Sequence, residues 1–471
     1  MRSSFDLASL RRRLATAPDS PGLHPIGLEK AFVGEGALEA LPEAVAELVA
    51  QNPRSGPVAV LSDLTPKQYR SGELLEFVTK SVASVAGVQG VFVGSPGHNA
   101  HADEVTLAKA TQDCEGASCL VAVGSGTVVD IGKVLAARQE LPYVVVQSAN
   151  SVNGYADDRS VLLVSGVKRT LPSSWANVLI VDVDVLVDAP VEMNAAGLAD
   201  LIAMFTAPAD WYLANLFGMD DSYSPTVVAL AREQGPALLQ AAHLVPKADR
   251  AALSQIATTL TLSGISMGIA GTTAPCSGME HAVSHLLEMA AVGAGEEAAL
   301  HGLQVGVSSV AAALLWRDVL QELAEGGLSR IKVPDAVESE VAVRSAFLAV
   351  DPSGEMAAEC WRDYEAKLAR WARASEWLEL AAQQWPSHER ALGHLLAGAE
   401  AIVKALGSAG APVSFSQLTP PLDEQAAHWA VRSCNLMRER FSVADLACLL
   451  GIFDESRVDR LLSEALALGA P

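Results

Sequence analysis

"CLVAVGSGTVVDIGKVLAARQ", residues 119–139, decides how the first part of this chain is read. Cys119 to Val123 is an unbroken apolar run. A strand with one wet face would alternate; a parallel strand buried on both faces does not. Gly124, Ser125 and Gly126 then turn the chain into TVVDIGKVLAARQ, whose apolar residues recur at helical spacing. Strand, glycine turn and helix predict one unit of a doubly wound sheet.

The same pattern extends outward. PVAVLSD (57–63), GVFVGS (90–95), LPYVVVQS (141–148), SVLLVS (160–165) and VLIVDVDVL (178–186) all read as strands, and HADEVTLAKATQD (101–113) as a helix between two of them. Beyond about Ala189 strand-like runs nearly vanish, and Ala- and Leu-rich helical patterns continue to the end. The expected organisation is an appendage over 1–27, a Rossmann-like α/β nucleotide-binding domain over 28–190, and an all-α domain over 191–471 that carries metal- and substrate-binding residues. No internal repeat or low-complexity tract interrupts it.

Bulk properties narrow the function. The chain has 471 residues, half of them apolar, with 33 Lys and Arg against 55 Asp and Glu, a formal net charge of −22. Nucleic acid and anionic membranes need a basic face, so neither is the expected partner, whereas an anionic small molecule needs only a few local groups. The six cysteines form no CxxC pair and read as reduced thiols. The first residues have no apolar core of signal-peptide length, and runs such as GLQVGVSSVAAALLW (302–316) are too short to span a bilayer. The expectation is a cytoplasmic protein.

Two stretches suggest chemistry. Small residues at 124–126 let backbone N–H groups approach a phosphate at a helix N-terminus. A tight strand–helix turn needs glycine for its own sake, however, and the third glycine of the dinucleotide fingerprint is missing. The second stretch is SGMEHAVSHLLEM (277–289) followed by ALHGLQVG (299–306), which gathers three of the chain's ten histidines. His281 and His285 fall on one helical face. His301 opens another helical pattern after a Gly-containing turn, so two antiparallel helices would return it to His281. Neutral imidazoles with one carboxylate make a divalent metal site, and Asp200 is a candidate carboxylate. Each histidine also has an ordinary reading as a separate core or surface residue, and spacing alone does not bring Asp200 to them.

Six segments in order carry a resemblance: GSGTVVDIGK (124–133), SANSVNGYADDRS (148–160), AGLADLIAMFTAPADW (196–211), SGMEHAVSH (277–285), LHGLQVG (300–306) and RERFSVADLACLLG (438–451). Over roughly residues 28–470 the chain resembles the iron-containing alcohol dehydrogenase superfamily, which shares its fold with dehydroquinate synthase. Within it, the likeness is to the sn-glycerol-1-phosphate dehydrogenases, above all their bacterial branch. The resemblance implies metal ligation by Asp200, His281 and His301, and a substrate-contacting, proton-relaying role for His285. It implies pyrophosphate binding by Gly124, Ser125, Gly126, Thr127 and Asp130, with Ser148 and Ser151 beside the nicotinamide of NAD or NADP. It further implies one divalent ion (zinc first, with nickel, iron or manganese as options) and a homodimer acting on a small polyol phosphate.

This sequence departs from the family pattern at four places. Asn153 stands where the family has a substrate-touching Asp. Asp157 replaces a Ser at the cofactor, where its carboxylate is expected to repel a phosphate or to bind a ribose hydroxyl; Met204 replaces a Lys four residues after the metal Asp, and Ala274 an Arg before the proline of TTAPCSG. Either other residues, such as Lys168 or Arg169, now hold a phosphate, or the substrate has changed. Asp63, ending PVAVLSD, favours NAD over NADP if it bonds a ribose hydroxyl, and is otherwise a solvated turn residue. Cys276 reads as a packing residue. A lyase or cyclising synthase of the same fold is the alternative to an oxidoreductase. An intact metal triad argues against a non-catalytic scaffold.

Overall fold

A computed structural model describes residues 5–95, 100–332 and 334–469. Residues 1–4 of the expected appendage, and Val333 and the last two residues of the expected helical domain, lie outside the described residues. The chain divides into two compact units. The first holds the residues up to Val164, Lys168–Leu198 and Ala229–Thr272. The second holds Ser165–Val167, Ala199–Val228 and the chain from Thr273 onward. The position 190/191 lies inside the segment Lys168–Leu198. The helical stretch Ala229–Thr272 therefore belongs to the first unit, and its long helix Arg250–Ala270 is buried on nearly every side. Such a helix needs cover all round.

The first unit is built on a parallel sheet of six strands: β1 (Lys30–Gly34), β2 (Val58–Asp63), β3 (Val88–Val93), β4 (Cys119–Gly124), β5 (Tyr143–Gln147) and β6 (Val178–Asp182). Their order is β1-β6-β5-β4-β2-β3, and each neighbouring pair runs parallel. Every residue of β4, β5 and β6 is buried, which is why these strands read as unbroken Val, Leu and Ile. The strand order reverses between β2 and β4. Ligands of open α/β sheets sit beyond the carboxyl ends at such a reversal, here marked by Asp63 and Gly124.

The structure adds and removes strands relative to the sequence reading. Edge strand β1, KAFVG, is short and begins on a lysine, so no apolar run announced it. SVLLVS does form a strand, Arg159–Val164, but it pairs with Val167–Pro172 in a separate two-stranded ribbon. Its burial alternates, as in a strand with one covered face. In VLIVDVDVL the strand stops at Asp182, whose carboxylate accepts from the Asp184 N–H and caps a helix over Val183–Asp188.

The second unit is helical. Its centre is α1 (Met279–Ala294) packed on α2 (His301–Ala324), joined by a turn that begins at Gly295 with φ 70°. Glycine takes that left-handed value without strain, closing α1 and letting the chain reverse. The run expected to be too short for a bilayer sits within a 24-residue helix, α2. This helix and Arg250–Ala270 are long and apolar enough to cross a membrane, yet 83% of each apolar window is buried within the protein, as in core helices. All six cysteines are free thiols, five of them buried.

Candidate metal centre and nucleotide turn

The second unit brings three expected residues together. Donor atoms of Asp200, His281 and His301 lie within 4.8 Å of one another. Asp200 Oδ1 is 3.6 Å from His281 Nε2 and 3.9 Å from His301 Nε2. These gaps are too long for hydrogen bonds. They approach the roughly 3.4 Å separating two ligands that each sit about 2.1 Å from a tetrahedral ion. The three atoms therefore surround a space of ion size, and three protein donors leave a further position for a substrate oxygen. The donor set fits a borderline divalent cation.

Glycine permits this convergence. A Cβ on Gly306 would lie 2.8 Å from the Ala199 Cβ and 2.8 Å from Leu406 Cδ2. Only a bare backbone lets α2 press so closely beside Asp200. That is the physical content of the glycine ending LHGLQVG.

Two acids that the sequence reading missed fix the imidazoles. His281 Nδ1 is 3.0 Å from Glu280 Oε1, and His301 Nδ1 is 2.8 Å from Glu288 Oε1. An ionised carboxylate only accepts, so each acid favours the form of its ring that donates from Nδ1 and turns Nε2 toward the ion-sized space. Glu280 is held in turn by the Gly278 N–H (2.6 Å) and the Thr206 hydroxyl (2.9 Å). Burial works against a charged His281, but Asp200 and Glu280 outweigh it and raise its pKa above the ordinary value. An available signal was position: Glu288 lies three residues after His285 and seven after His281, on their helical face.

Asp210, in the same AGLADLIAMFTAPADW segment, was also missed. Its carboxylate accepts from the N–H groups of Met279 (2.7 Å) and Val443 (2.9 Å) and from the Trp316 indole (3.1 Å). It ties the first residue of α1 to two other helices. Burial, with the nearby Glu280 charge adding, pushes its carboxyl up to about 8. His285 completes the histidine cluster. Its ring centroid lies 5.5 Å from that of His301 and 6.3 Å from that of His281, close to the donor set but outside it.

In the first unit, β4 leads through Gly124 into a helix over Gly126–Gln139. A Cβ on Gly124 would come within 2.5 Å of the Val128 Cβ. Ser125, Gly126 and Thr127 are half-exposed, and no side chain caps the N-terminal amides of this helix. Uncapped amides with a positive dipole end suit a phosphate. Ser148 N–H bonds to Gly124 O at 3.0 Å, and Ser148 and Ser151 are nearly buried. Asn153 donates its amide to the Ser263 hydroxyl at 3.0 Å.

Asp157 is the counter-ion of a fully buried lysine. Asp157 is 2% exposed, with Oδ1 2.7 Å from Lys133 Nζ. The same ammonium donates to the carbonyls of Gly154 (2.6 Å) and Arg159 and lies 3.5 Å from Asp130. Burial disfavours the cation, yet Asp157 and Asp130 outweigh it and hold Lys133 above its ordinary range. Asp63 is likewise engaged: it accepts from the Thr65 N–H at 2.9 Å and pairs with Lys67.

Known proteins resemble this chain in sequence and in fold. A family model described as iron-containing alcohol dehydrogenase matches residues 32–190. Among curated relatives, the glycerol-1-phosphate dehydrogenase of Bacillus licheniformis is 29% identical over 341 residues, covering 72% of this chain and 80% of its own. That of Methanospirillum hungatei is 30% identical over 251 residues, covering 52% and 68%. Among solved structures, an iron-containing alcohol dehydrogenase of Thermotoga maritima superposes with a TM-score of 0.54 at 14% identity, over 94% of this chain and 99% of that one. At that identity the likeness is one of fold.

Proposed function

We propose, from the premise that this chain belongs to the iron-containing alcohol dehydrogenase family, that Asp200, His281 and His301 hold its catalytic metal. The enzyme is a metal-dependent, NAD(P)-linked oxidoreductase that interconverts an alcohol and a carbonyl on a small polyol phosphate or a related substrate. The observation that carries the assignment of ligands is the ring of three donors with both imidazoles oriented by buried carboxylates.

Zinc is the proposed metal, since two imidazoles, one carboxylate and an open position suit it. When bound, a divalent cation supplies a Lewis acid that polarises the substrate oxygen. The nicotinamide supplies the hydride chemistry. The chain's own residues do the rest. Glu280 and Glu288 accept from the Nδ1 side of the two rings and hold them aimed, so that Nε2 faces the ion. His285 holds or moves the proton of the reacting oxygen, as an imidazole with a near-neutral ordinary pKa can. The uncapped helix N-terminus after Gly124, with Thr127, takes the cofactor's pyrophosphate, and Ser148 and Ser151 line the nicotinamide side. Asn153, fixed by Ser263, offers the substrate an amide. Asp157 acts through Lys133, holding the 154–159 segment against the helix that follows the glycine turn. Asp63 favours NAD, and the working form is a cytoplasmic homodimer.

The test is turnover. Metal-replete protein is expected to oxidise NADH or NADPH with dihydroxyacetone phosphate, and chelation is expected to abolish the reaction. Binding of nicotinamide without net turnover of any ketone or alcohol would favour the cyclising-synthase reading.

A further inference from the structure

The parallel sheet of the first unit has two outer strands, and the chain treats them differently. Edge strand β1 begins on a lysine and is covered by its own N-terminal segment. The Phe5 N–H donates to Ala31 O at 3.0 Å, just ahead of the helix Leu7–Ala15. At the other edge, among the described residues, no strand pairs with the outer side of β3. Open edges are normally blunted by charge, proline or a bulge. VQGVFV (88–93) has no charge and no proline, and it pairs with β2 in unbroken register.

The edge is accessible and partly apolar. Val91 and Val93 are buried, whereas Phe92 between them is 43% exposed. A Cβ on Gly90 would lie 3.2 Å from Phe92 Cε2, so the ring lies back along its own strand over a bare glycine. Beside it, β3 and the helix Glu104–Asp113 bound an open groove of about 660 Å³, whose lining includes Gln89, Phe92, Lys109, Asp113 and Glu115. Val105, one turn before Lys109 on the same helix face, is 79% exposed.

The charges of the groove have a direction. The helix returns along β3, and the Gln89 amide donates to Asp113 O at 2.6 Å, so Asp113 and Glu115 stand at the start of the strand. Lys109 stands one turn nearer its end. Among the described residues, none of the three is in an ion pair. An anion or a cation would satisfy only one end of this groove. A second copy related by a two-fold axis presents the same face in reverse. Its Lys109 then meets Asp113 and Glu115, and its acids meet Lys109. An axis at Gly90 or Val91 also sets Phe92 of each copy against Val88 or Gly90 of the other, on one face of the joined sheet. Copies of a chain with net charge −22 repel one another, so a face that brings a lysine to each acidic pair is a selective place to join.

We infer that the β3 edge is where a second copy of this chain docks, the two β3 strands pairing antiparallel across a two-fold axis into one continuous sheet. This deepens the proposed homodimer by naming its face, and rests on that reading.

Phe92→Lys, Lys109→Glu and Glu115→Lys are compared with wild type as full-length, metal-loaded protein, with thermal melting as the control for folding. The readout is the dimer dissociation constant from sedimentation velocity. Phe92→Lys puts a cation on both edges and is expected to raise it at least about 10-fold. Lys109→Glu and Glu115→Lys each set like charges together at two symmetric places and are expected to raise it about 3- to 10-fold. Mixed, these two variants regain opposite charges and are expected to form a heterodimer tighter than either homodimer. Hydrogen exchange of wild type needs no substitution: residues 88–93 are expected to exchange slowly above the dissociation constant and faster below it. A dimer whose dissociation constant is unchanged in the folded variants, or whose 88–93 segment exchanges alike at both concentrations, leaves the homodimer standing and overturns this face. A wild type that sediments as a monomer throughout overturns both.

Discussion

Replacing Glu288 with alanine isolates what the buried acids do for the proposed metal. Its Oε1 lies 2.8 Å from His301 Nδ1, and its side chain is only 10% exposed. Removing it frees His301 to rotate and to place its proton on Nε2, the nitrogen meant for the ion. Loss of such an orienting acid costs about 10- to 100-fold in metal affinity. The Ser284 hydroxyl, 3.1 Å from the same Nδ1, is a weaker substitute partner. The expected loss therefore sits in the lower part of that range, about 10- to 30-fold in Kd, or about 1.4–2 kcal/mol. Glu280 would be a poorer choice, because its loss would also orphan the Gly278 N–H and the Thr206 hydroxyl. The assay is a competition titration of zinc against a chromophoric chelator, with melting of the metal-free protein as the control for folding. A Glu288→Ala protein that melts normally and binds zinc within about twofold of wild type would refute the orienting role.

Three further outcomes follow from the same geometry. Gly306→Ala forces a Cβ to 2.8 Å from Ala199 and should cost about 1–3 kcal/mol in denaturant unfolding while also weakening zinc binding, because Ala199 precedes Asp200. Lys133→Met leaves Asp157 buried without its cation and should cost about 3–5 kcal/mol. Lys133 is held above its ordinary 10.5, so its contribution is lost as the pH rises through the folded value, and the gap between wild type and variant, followed by urea melts, should close in that alkaline range; it should also narrow in acid, where Asp157, whose carboxyl burial lifts to about 6, takes up a proton. His285→Asn should retain the metal while kcat falls about 100-fold or more, as measured by NAD(P)H oxidation.

The first unit was legible because buried parallel strands have an unmistakable composition. Cys119–Gly124 and Tyr143–Gln147 are buried at every residue, and their sequences contain little but Val, Leu, Ala and Cys. Edge strand β1 is short and begins on a lysine, which concealed it, whereas SVLLVS was legible as a strand but its place in a separate two-stranded ribbon was not. In the site, His281 and His301 stood out because histidine is scarce in this chain. Spacing alone could not join Asp200 to them; the structure does so through the bare Gly306 against Ala199. The roles of Glu280, Glu288 and Asp210 were hidden because an acid in a helix looks solvated until its partners are known. The ion pair of Asp157 was hidden for the same reason, because its partner Lys133 lies 24 residues earlier in the chain.

The most direct measurement is the metal content per chain of Asp200→Ala beside wild type, purified identically and read by inductively coupled plasma mass spectrometry. The account predicts about one divalent ion per wild-type chain, and loss of most of it in a variant that still folds, since three donors become two. A folded Asp200→Ala protein carrying a full equivalent of metal would contradict the assignment of Asp200, His281 and His301 as the metal centre.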